Sequence, residues 1–307
     1  MAAKASAELG SVVDSLCQTS TRLTPPSRNN PCQAPLPSRA AVADMMEALR
    51  SVLFPGYFGL SDLSEQSIRY HVGSTLDRVL GTLRDQVQRG VCFTCTRETA
   101  QREVCERRAE EIVADFMRRL PHVQQCLHAD VQAAYEGDPA ATDPNEAIFC
   151  YPGVLALTNH RVAHELHQLG VPLLPRIINE LAHSLTGIDI HPGAEIGRGM
   201  FIDHGTGVVI GETCIIGDRV RLYQGVTLGA KSFPLDEDGN PIKGIPRHPI
   251  VEDDVIIYAG ATILGRVTIG KGSVIGGNVW LVRSVPPSSR ISQSPAREEK
   301  YSAGGGI

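Results

Sequence analysis

Between Ile188 and Val285 the chain carries an aliphatic residue at nearly every sixth position. The rungs are Ile190, Ile196 and Ile202, then, after a step of eight, Ile210, Ile216, Leu222 and Leu228. The ladder breaks and resumes at Val251, continuing through Ile257, Ile263, Ile269, Ile275 and Leu281. Glycine often follows a rung, as at Gly197, Gly211, Gly217, Gly229, Gly270 and Gly276. A period of six matches neither the 3.6 of an amphipathic helix nor the 2 of a simple strand. Hexapeptide periodicity predicts a parallel β-helix, in which three hexads make one triangular coil and the stacked rungs bury a continuous core. Thirteen rungs give roughly four coils.

Upstream, the pattern turns helical. Val42, Met45, Met46, Leu49 and Leu53 fall at helical spacing within 41–53, and Pro55-Gly56 breaks the run. Residues 61–88 predict a second helix with Ser61 as its cap, and 97–120 a third with Val104, Ile112, Val113 and Phe116 on its buried side. Pro121 is expected to start a new helix through Tyr135; two more span 153–169 and 172–185, and Gly187 ends the last. Residues 1–40 are rich in Ser, Thr, Ala and Pro, a composition that buries little apolar surface, so a disordered extension is expected there. The fold class expected is thus α+β. A helical domain (41–186) feeds a left-handed parallel β-helix (187–287) with a loop at 231–246, and 288–307 form a flexible tail.

Composition narrows the partners. At 307 residues two domains are expected. A net charge of −5 gives no sign of nucleic-acid or anionic-membrane binding. No apolar run approaches the ~18 residues of a bilayer span. The eight cysteines are scattered and no secretory signal precedes them, which suggests reduced thiols in a cytoplasmic protein. Cys92-x-x-Cys95 with Cys105 beyond invites a zinc reading, but a structural site needs a second pair at suitable spacing. None is present in the sequence, so ordinary thiols and no metal are expected. His160, His164 and His167 share one helix face, where packing or an oligomer contact is expected.

The chemistry is expected where the ladder fails. Asp203-His204 follows Ile202, at the step of eight, and extra residues at a corner push side chains out of the regular pattern. A histidine there can serve as general base near neutral pH. Asp189 lies fifteen residues earlier and can orient such an imidazole, as the acid does in hydrolytic triads. The segment Lys231–Pro246 is polar, Gly/Pro-rich and off register, so it must leave the coil as a loop. Arg247-His248 close it, and the guanidinium fork of Arg247 suits a carboxylate.

These segments resemble a known family. DIHPGAEIGRGMFIDHGTGVVIGET, QGVTLGA, RHP and AGATILG are similar to the serine O-acetyltransferases, densely over 138–287, and SVLFPGYFG resembles a longer bacterial branch. The resemblance implies acetyl transfer from acetyl-CoA to the L-serine hydroxyl, giving O-acetylserine for cysteine synthesis. It implies His204 as the base and Asp189 as its orienting acid, Asp138 and Asp203 for the serine ammonium, and Arg247 and His248 for its carboxylate. It further implies pantetheine contacts at Gly229, Ala230, Ala259 and Gly277 and a phosphate contact at Lys271. A homotrimer or dimer of trimers is implied, with each site between subunits. O-acetylserine sulfhydrylase is implied as partner, bound through a glycine-rich tail ending in Ile307. Two departures stand out: the loop carries Asp236-Glu237-Asp238, and the last coil reads ISQSPA in place of the usual closing motif.

Three other readings remain at this point. Another hexapeptide acyltransferase would act on a different hydroxyl or amine. A γ-class carbonic anhydrase needs three converging histidines, and only His191, His204 and His248 lie in the β-helix region, with no close pair. A non-catalytic scaffold would bind the sulfhydrylase without turning over serine.

Overall fold

The computed structural model describes residues 2–20, 32, 34–60, 62–95 and 102–294. No helix among them is long and apolar enough to cross a membrane. The chain divides into two units, one of residues 1–119 and 165–177, the other of 120–164 and 178–307. The division falls within the helical stretch: helical residues 120–164 and 178–186 group with the β-helix.

In the first unit, the helix Arg39–Leu53 starts behind Ser38, whose hydroxyl accepts the Ala41 amide, and buries Val42, Met45, Met46, Leu49 and Leu53 as expected. The helix Glu65–Phe93 starts behind a reciprocal Ser64/Ser67 capping box and buries Val79, Leu83, Val87 and Val91 along one stripe. The cap expected at Ser61 lies outside the described residues. Ala2–Ser20 is helical, where disorder was expected. No proline falls in that segment to break a helix, yet Leu9, Val12, Val13 and Leu16 all stay exposed.

Arg102–Gly137 forms one helix with Pro121 inside it, against the expected break. Proline costs the helix one backbone bond. The apolar stripe nevertheless runs on in phase through it: Ile112, Val113, Phe116, Leu120, Val123 and Leu127 are all buried. The same phase puts Cys105, not Val104, on the buried side; Val104 is exposed.

The second unit carries the hexapeptide coils. Among the described residues, fourteen short strands, β1 (Asp189–Ile190), β2 (Glu195–Ile196), β3 (Phe201–Ile202), β4 (Val209–Ile210), β5 (Ile215–Ile216), β6 (Arg221–Leu222), β7 (Thr227–Gly229), β8 (Ile250–Val251), β9 (Ile256–Ile257), β10 (Thr262–Leu264), β11 (Thr268–Ile269), β12 (Val274–Ile275), β13 (Trp280–Leu281) and β14 (Arg290–Ile291), stack in parallel into three faces, ordered β1-β4-β7-β10-β13, β2-β5-β8-β11 and β3-β6-β9-β12-β14. This is the expected left-handed β-helix. Every rung lies in or against one core. The position two residues before a rung is also buried, as at Ile188, Met200, Val208, Val220, Val226 and Val255. Each hexad therefore supplies two inward side chains. The last coil continues to β14 (Arg290–Ile291), past the expected end at 287, because Ile291 still packs against the core.

Pairing registers locate two insertions. Asp189 pairs with Val209, a step of twenty, whereas Val209 pairs with Thr227, the regular step of eighteen. The two extra residues fall between β3 (Phe201–Ile202) and β4 (Val209–Ile210). Thr227 pairs with Thr262, a step of thirty-five, and the surplus is the loop between β7 (Thr227–Gly229) and β8 (Ile250–Val251).

Helix and coil meet through a buried ion pair. Arg161 holds Asp130 bidentately at 2.6 and 2.7 Å, and also donates to the carbonyls of Ile196 (3.3 Å) and Gly197 (2.7 Å). The Met200 amide donates to the same carboxylate at 3.0 Å. Burial works against the Arg161 charge, but the adjacent carboxylate outweighs it and raises the guanidinium pKa. Asp130→Asn or Arg161→Met leaves the remaining partner buried without its counter-charge. Each is expected to cost about 3–5 kcal/mol in urea unfolding of the full chain; a loss below about 1 kcal/mol would match an exposed pair instead.

Candidate active site

The three faces meet at three edges, and the edge decides what a corner residue can reach. His204 and Asp203 lie at the edge between the third and first faces, in the two-residue insertion. His204 adopts φ +57°, a conformation few non-glycine residues take, and its side chain is 71% exposed. Its ring Nδ1 stands 3.6 Å from the Asp203 carboxylate, which is itself only 17% exposed. No hydrogen bond or ion pair joins His204 to Asp189. Asp189 sits in β1 (Asp189–Ile190) opposite Val209, five positions beyond His204, so the expected orienting contact is not made here.

Asp138 reaches this edge from the helices. A Cβ at Gly153 would collide with the Ile202 carbonyl oxygen, so glycine lets the start of the helix Pro152–Gln168 lie directly on the strand. The neighbouring Tyr151 hydroxyl donates to Asp138 at 2.5 Å and the Ala140 amide donates to it at 2.8 Å. These two bonds hold the Asp138 carboxyl below the usual carboxylate range, with smaller contributions from His204 and Arg221. Two anionic groups and an exposed imidazole thus share one corner. Tyr223 and Tyr258, stacked at 5.0 Å in successive coils, extend the same edge.

Arg247 and His248 lie at another edge, between the first and second faces. Arg247 donates to Glu212 at 2.6 Å, and its amide donates to the Thr213 hydroxyl at 2.9 Å. Burial opposes the Glu212 charge, but Arg247 and the nearby His191 outweigh it and lower the carboxyl pKa. His248 is buried, its ring occupying the space that Gly211 leaves by lacking a side chain. The Thr213 amide donates to His248 Nδ1 at 3.1 Å, so in the neutral ring the proton sits on Nε2. Burial, with Arg247 beside it, pushes the His248 pKa down to about 4. His248 can therefore donate one hydrogen bond to an anion but brings no charge near neutral pH. Tyr151, Glu212 and Thr213 were not singled out from the sequence, although GET stands directly after the Ile210 rung.

The small residues divide between the same two edges. Gly229 and Ala230 flank the Arg247 edge. Ala259 and Gly277 stack on the His204 edge, where the Asn278 amide donates to the Ala259 carbonyl at 2.9 Å. Lys271 does not join them. It lies at the third edge, its ammonium 3.3 Å from Asp253 and 3.7 Å from Asp254. Two of the helix histidines pack inward: His160 is buried with its pKa far below the usual value through desolvation, and His164 Nδ1 lies 2.8 Å from the Pro192 carbonyl, whereas His167 is exposed. Ile307 lies outside the described residues.

One face therefore separates the basic imidazole from the arginine. Six residues at about 3.3 Å each span roughly 20 Å, much more than the length of an amino acid.

Comparison with known proteins agrees with these features. Residues 77–159 match the family described as serine acetyltransferase, N-terminal, and residues 248–283 match bacterial transferase hexapeptide (six repeats). The chain is 54% identical over 302 residues to a plasmid serine acetyltransferase of Synechococcus elongatus, covering 97% of this chain and 95% of the relative. It is similar to the crystal structure of Entamoeba histolytica serine acetyltransferase 1 in complex with L-cysteine, with a TM-score of 0.71 and 38% identity over 81% of this chain and 86% of that one. It is also similar to a serine acetyltransferase in complex with CoA, with a TM-score of 0.53 and 26% identity over 83% and 98% of the two chains. By descent, fold and the residues at its corners, the chain belongs to the serine acetyltransferases.

Proposed function

We infer that this member of the family transfers acetyl from acetyl-CoA to the hydroxyl of L-serine at a composite site built by two copies of the chain. The observation that carries this reading is the separation of His204 and Arg247 on opposite edges of one face. One serine cannot touch both within a single chain. A neighbouring copy that lays its Arg247 edge against the His204 edge of the first brings both to one substrate. The face between the edges suits such packing: Val209 and Trp280 point outward from it, and Trp280 is 69% exposed. A cyclic trimer makes three equivalent contacts of this kind.

In this site His204 takes the hydroxyl proton, because serine is a poor nucleophile until a positioned base removes it. Asp203 is the carboxylate closest to orienting the ring; Asp189 requires a side-chain rearrangement to take that part. Asp138 and Asp203 balance the serine ammonium. Arg247, held by Glu212, and the Nε2–H of His248 receive the carboxylate. Ala259 and Gly277 from one copy, with Gly229 and Ala230 from the next, leave room for the thioester arm against backbone. The last residues, with Ile307 as apolar anchor, are assigned to docking on the sulfhydrylase. The chain is read as a cytoplasmic enzyme, and none of its cysteines forms a disulfide in the structure.

The tests separate these assignments. His204→Ala is expected to lower kcat by about 10²–10⁴-fold with acetyl-CoA binding retained in calorimetry, whereas Arg247→Ala is expected to raise KM for serine. Co-expression of the two variants should recover activity, because mixed oligomers contain some sites with both groups intact; no recovery would sink the composite site. Removal of Gly306-Ile307 is expected to abolish sulfhydrylase binding and spare acetyl transfer, and unchanged binding would end that assignment. His248 should titrate near 4 by NMR. Its folded pKa lies below the ordinary value, so the stability it contributes is present above about 6.5 and declines as pH falls toward 4. His248→Gln should flatten that part of the stability profile.

A further inference from the structure

Three thiols from distant parts of the sequence converge in the first unit. The Sγ atoms of Cys32, Cys92 and Cys105 all lie within 4.8 Å of one another, and among the described residues they form the one such group of histidine, cysteine or carboxylate side chains. Cys32 Sγ lies 3.7 Å from Cys105 Sγ. A fourth thiol adjoins them, with Cys95 Sγ 3.1 Å from Cys105 Sγ. Cys92 and Cys105 are buried, while Cys32 and Cys95 are partly so. The pair missing from the sequence reading is thus Cys32 with Cys105, each joined to Cys92-x-x-Cys95 only by folding.

We propose that Cys32, Cys92, Cys95 and Cys105 form a structural Zn²⁺ site. Four thiolates about 2.3 Å from one tetrahedral ion stand about 3.8 Å apart. The 3.7 Å contact already meets that spacing, and the 3.1 Å contact needs a small opening. Sulfurs up to 4.8 Å apart must close by about 1 Å, and Cys95, which lies outside that group of three, must swing in to complete the tetrahedron. Zn²⁺ is favoured over hard cations because every donor is sulfur.

The surroundings fit a staple rather than a catalytic centre. Cys92 lies in the last turn of the helix Glu65–Phe93, Cys95 follows its end, and Cys105 lies in the first turn of the helix Arg102–Gly137. Cys32 belongs to a proline-rich segment already anchored on the first of these helices. There the Ser38 amide donates to Gln86 at 2.7 Å, and Arg89 donates to the Leu36 carbonyl at 3.4 Å. The ion would close that line of contacts, and every position would be filled by protein, leaving none open for substrate. Without a cation three of the thiols are poorly disposed to ionise: burial pushes Cys92 and Cys105 up to about 11 and Cys95 to about 12. Zinc binding must therefore displace protons from these thiols into solvent, with no change in sulfur oxidation state.

The test uses the full chain purified under reducing conditions. Elemental analysis should find one zinc per chain. Co²⁺ replacement should give the intense visible bands and the thiolate-to-metal charge-transfer absorption of a four-sulfur tetrahedral site. Cys92→Ser and Cys105→Ser should each lose the ion. Cys32→Ser, outside both helices, should lose or weaken it without unfolding the chain. Cys17→Ser and Cys150→Ser should leave it in place. Acetyl transfer by Cys32→Ser should stay close to that of the parent chain, with the midpoint of thermal unfolding lowered. Three results would overturn the proposal: a reduced, folded chain that holds no zinc and gives no cobalt bands; zinc that persists in both Cys32→Ser and Cys105→Ser; or a Cys95–Cys105 disulfide as the stable state in cells.

Discussion

The arrangement depends most on the buried pair of Arg161 and Asp130. Placing two charges in a core is costly, and only near-complete satisfaction offsets it. Here Arg161 divides its donors between the carboxylate and two carbonyls of the first coil, and the Met200 amide gives Asp130 a further bond. Those partners come from two helices and from the turn between the second and third faces of the first coil. The pair therefore fixes the phase of the helices on the prism. Asp138 lies at the end of the helix that carries Asp130, and Gly153 lies on the helix that carries Arg161. The carboxylate beside His204 is thus positioned by an ion pair far along the same helices.

The prism supplies the second constraint. Its coils repeat every eighteen residues, with inward side chains tightly specified and corners left permissive. Both departures from that repeat fall on borders of the first face. The insertion of two lifts Asp203-His204 out of register, and the long insertion delivers Arg247-His248 to the opposite border. A rigid scaffold can carry irregular corners because the core does not depend on them, and functional groups gather where the packing demand is lowest.

Much of this was legible in the sequence. The ladder identified the coil because one aliphatic residue per hexad recurs at a period that neither an amphipathic helix nor a simple strand produces. The step of eight marked His204, and the broken register marked Arg247. Pro121 was read as a break because a single residue was weighed against a stripe that continues in phase on both sides. The thiol cluster was invisible because Cys32 and Cys92 are sixty positions apart, and only the docking of the proline-rich segment on the helix brings them together. Local periodicity reports elements and corners; it does not report contacts closed by tertiary packing.

The proposed composite site would tie catalysis to assembly. A single prism presents His204 and Arg247 about one face apart, and its strands, two or three residues long and stacked coil on coil, cannot bend to bring them closer. Internal motion of the coil is therefore no route to a complete site. Rigidity that would disable a monomer becomes useful in a symmetric assembly, because each edge is then held at a fixed distance from its counterpart in the next copy. A substitution that loosens the face around Val209 and Trp280 should affect serine affinity and turnover together, although neither side chain needs to touch the substrate.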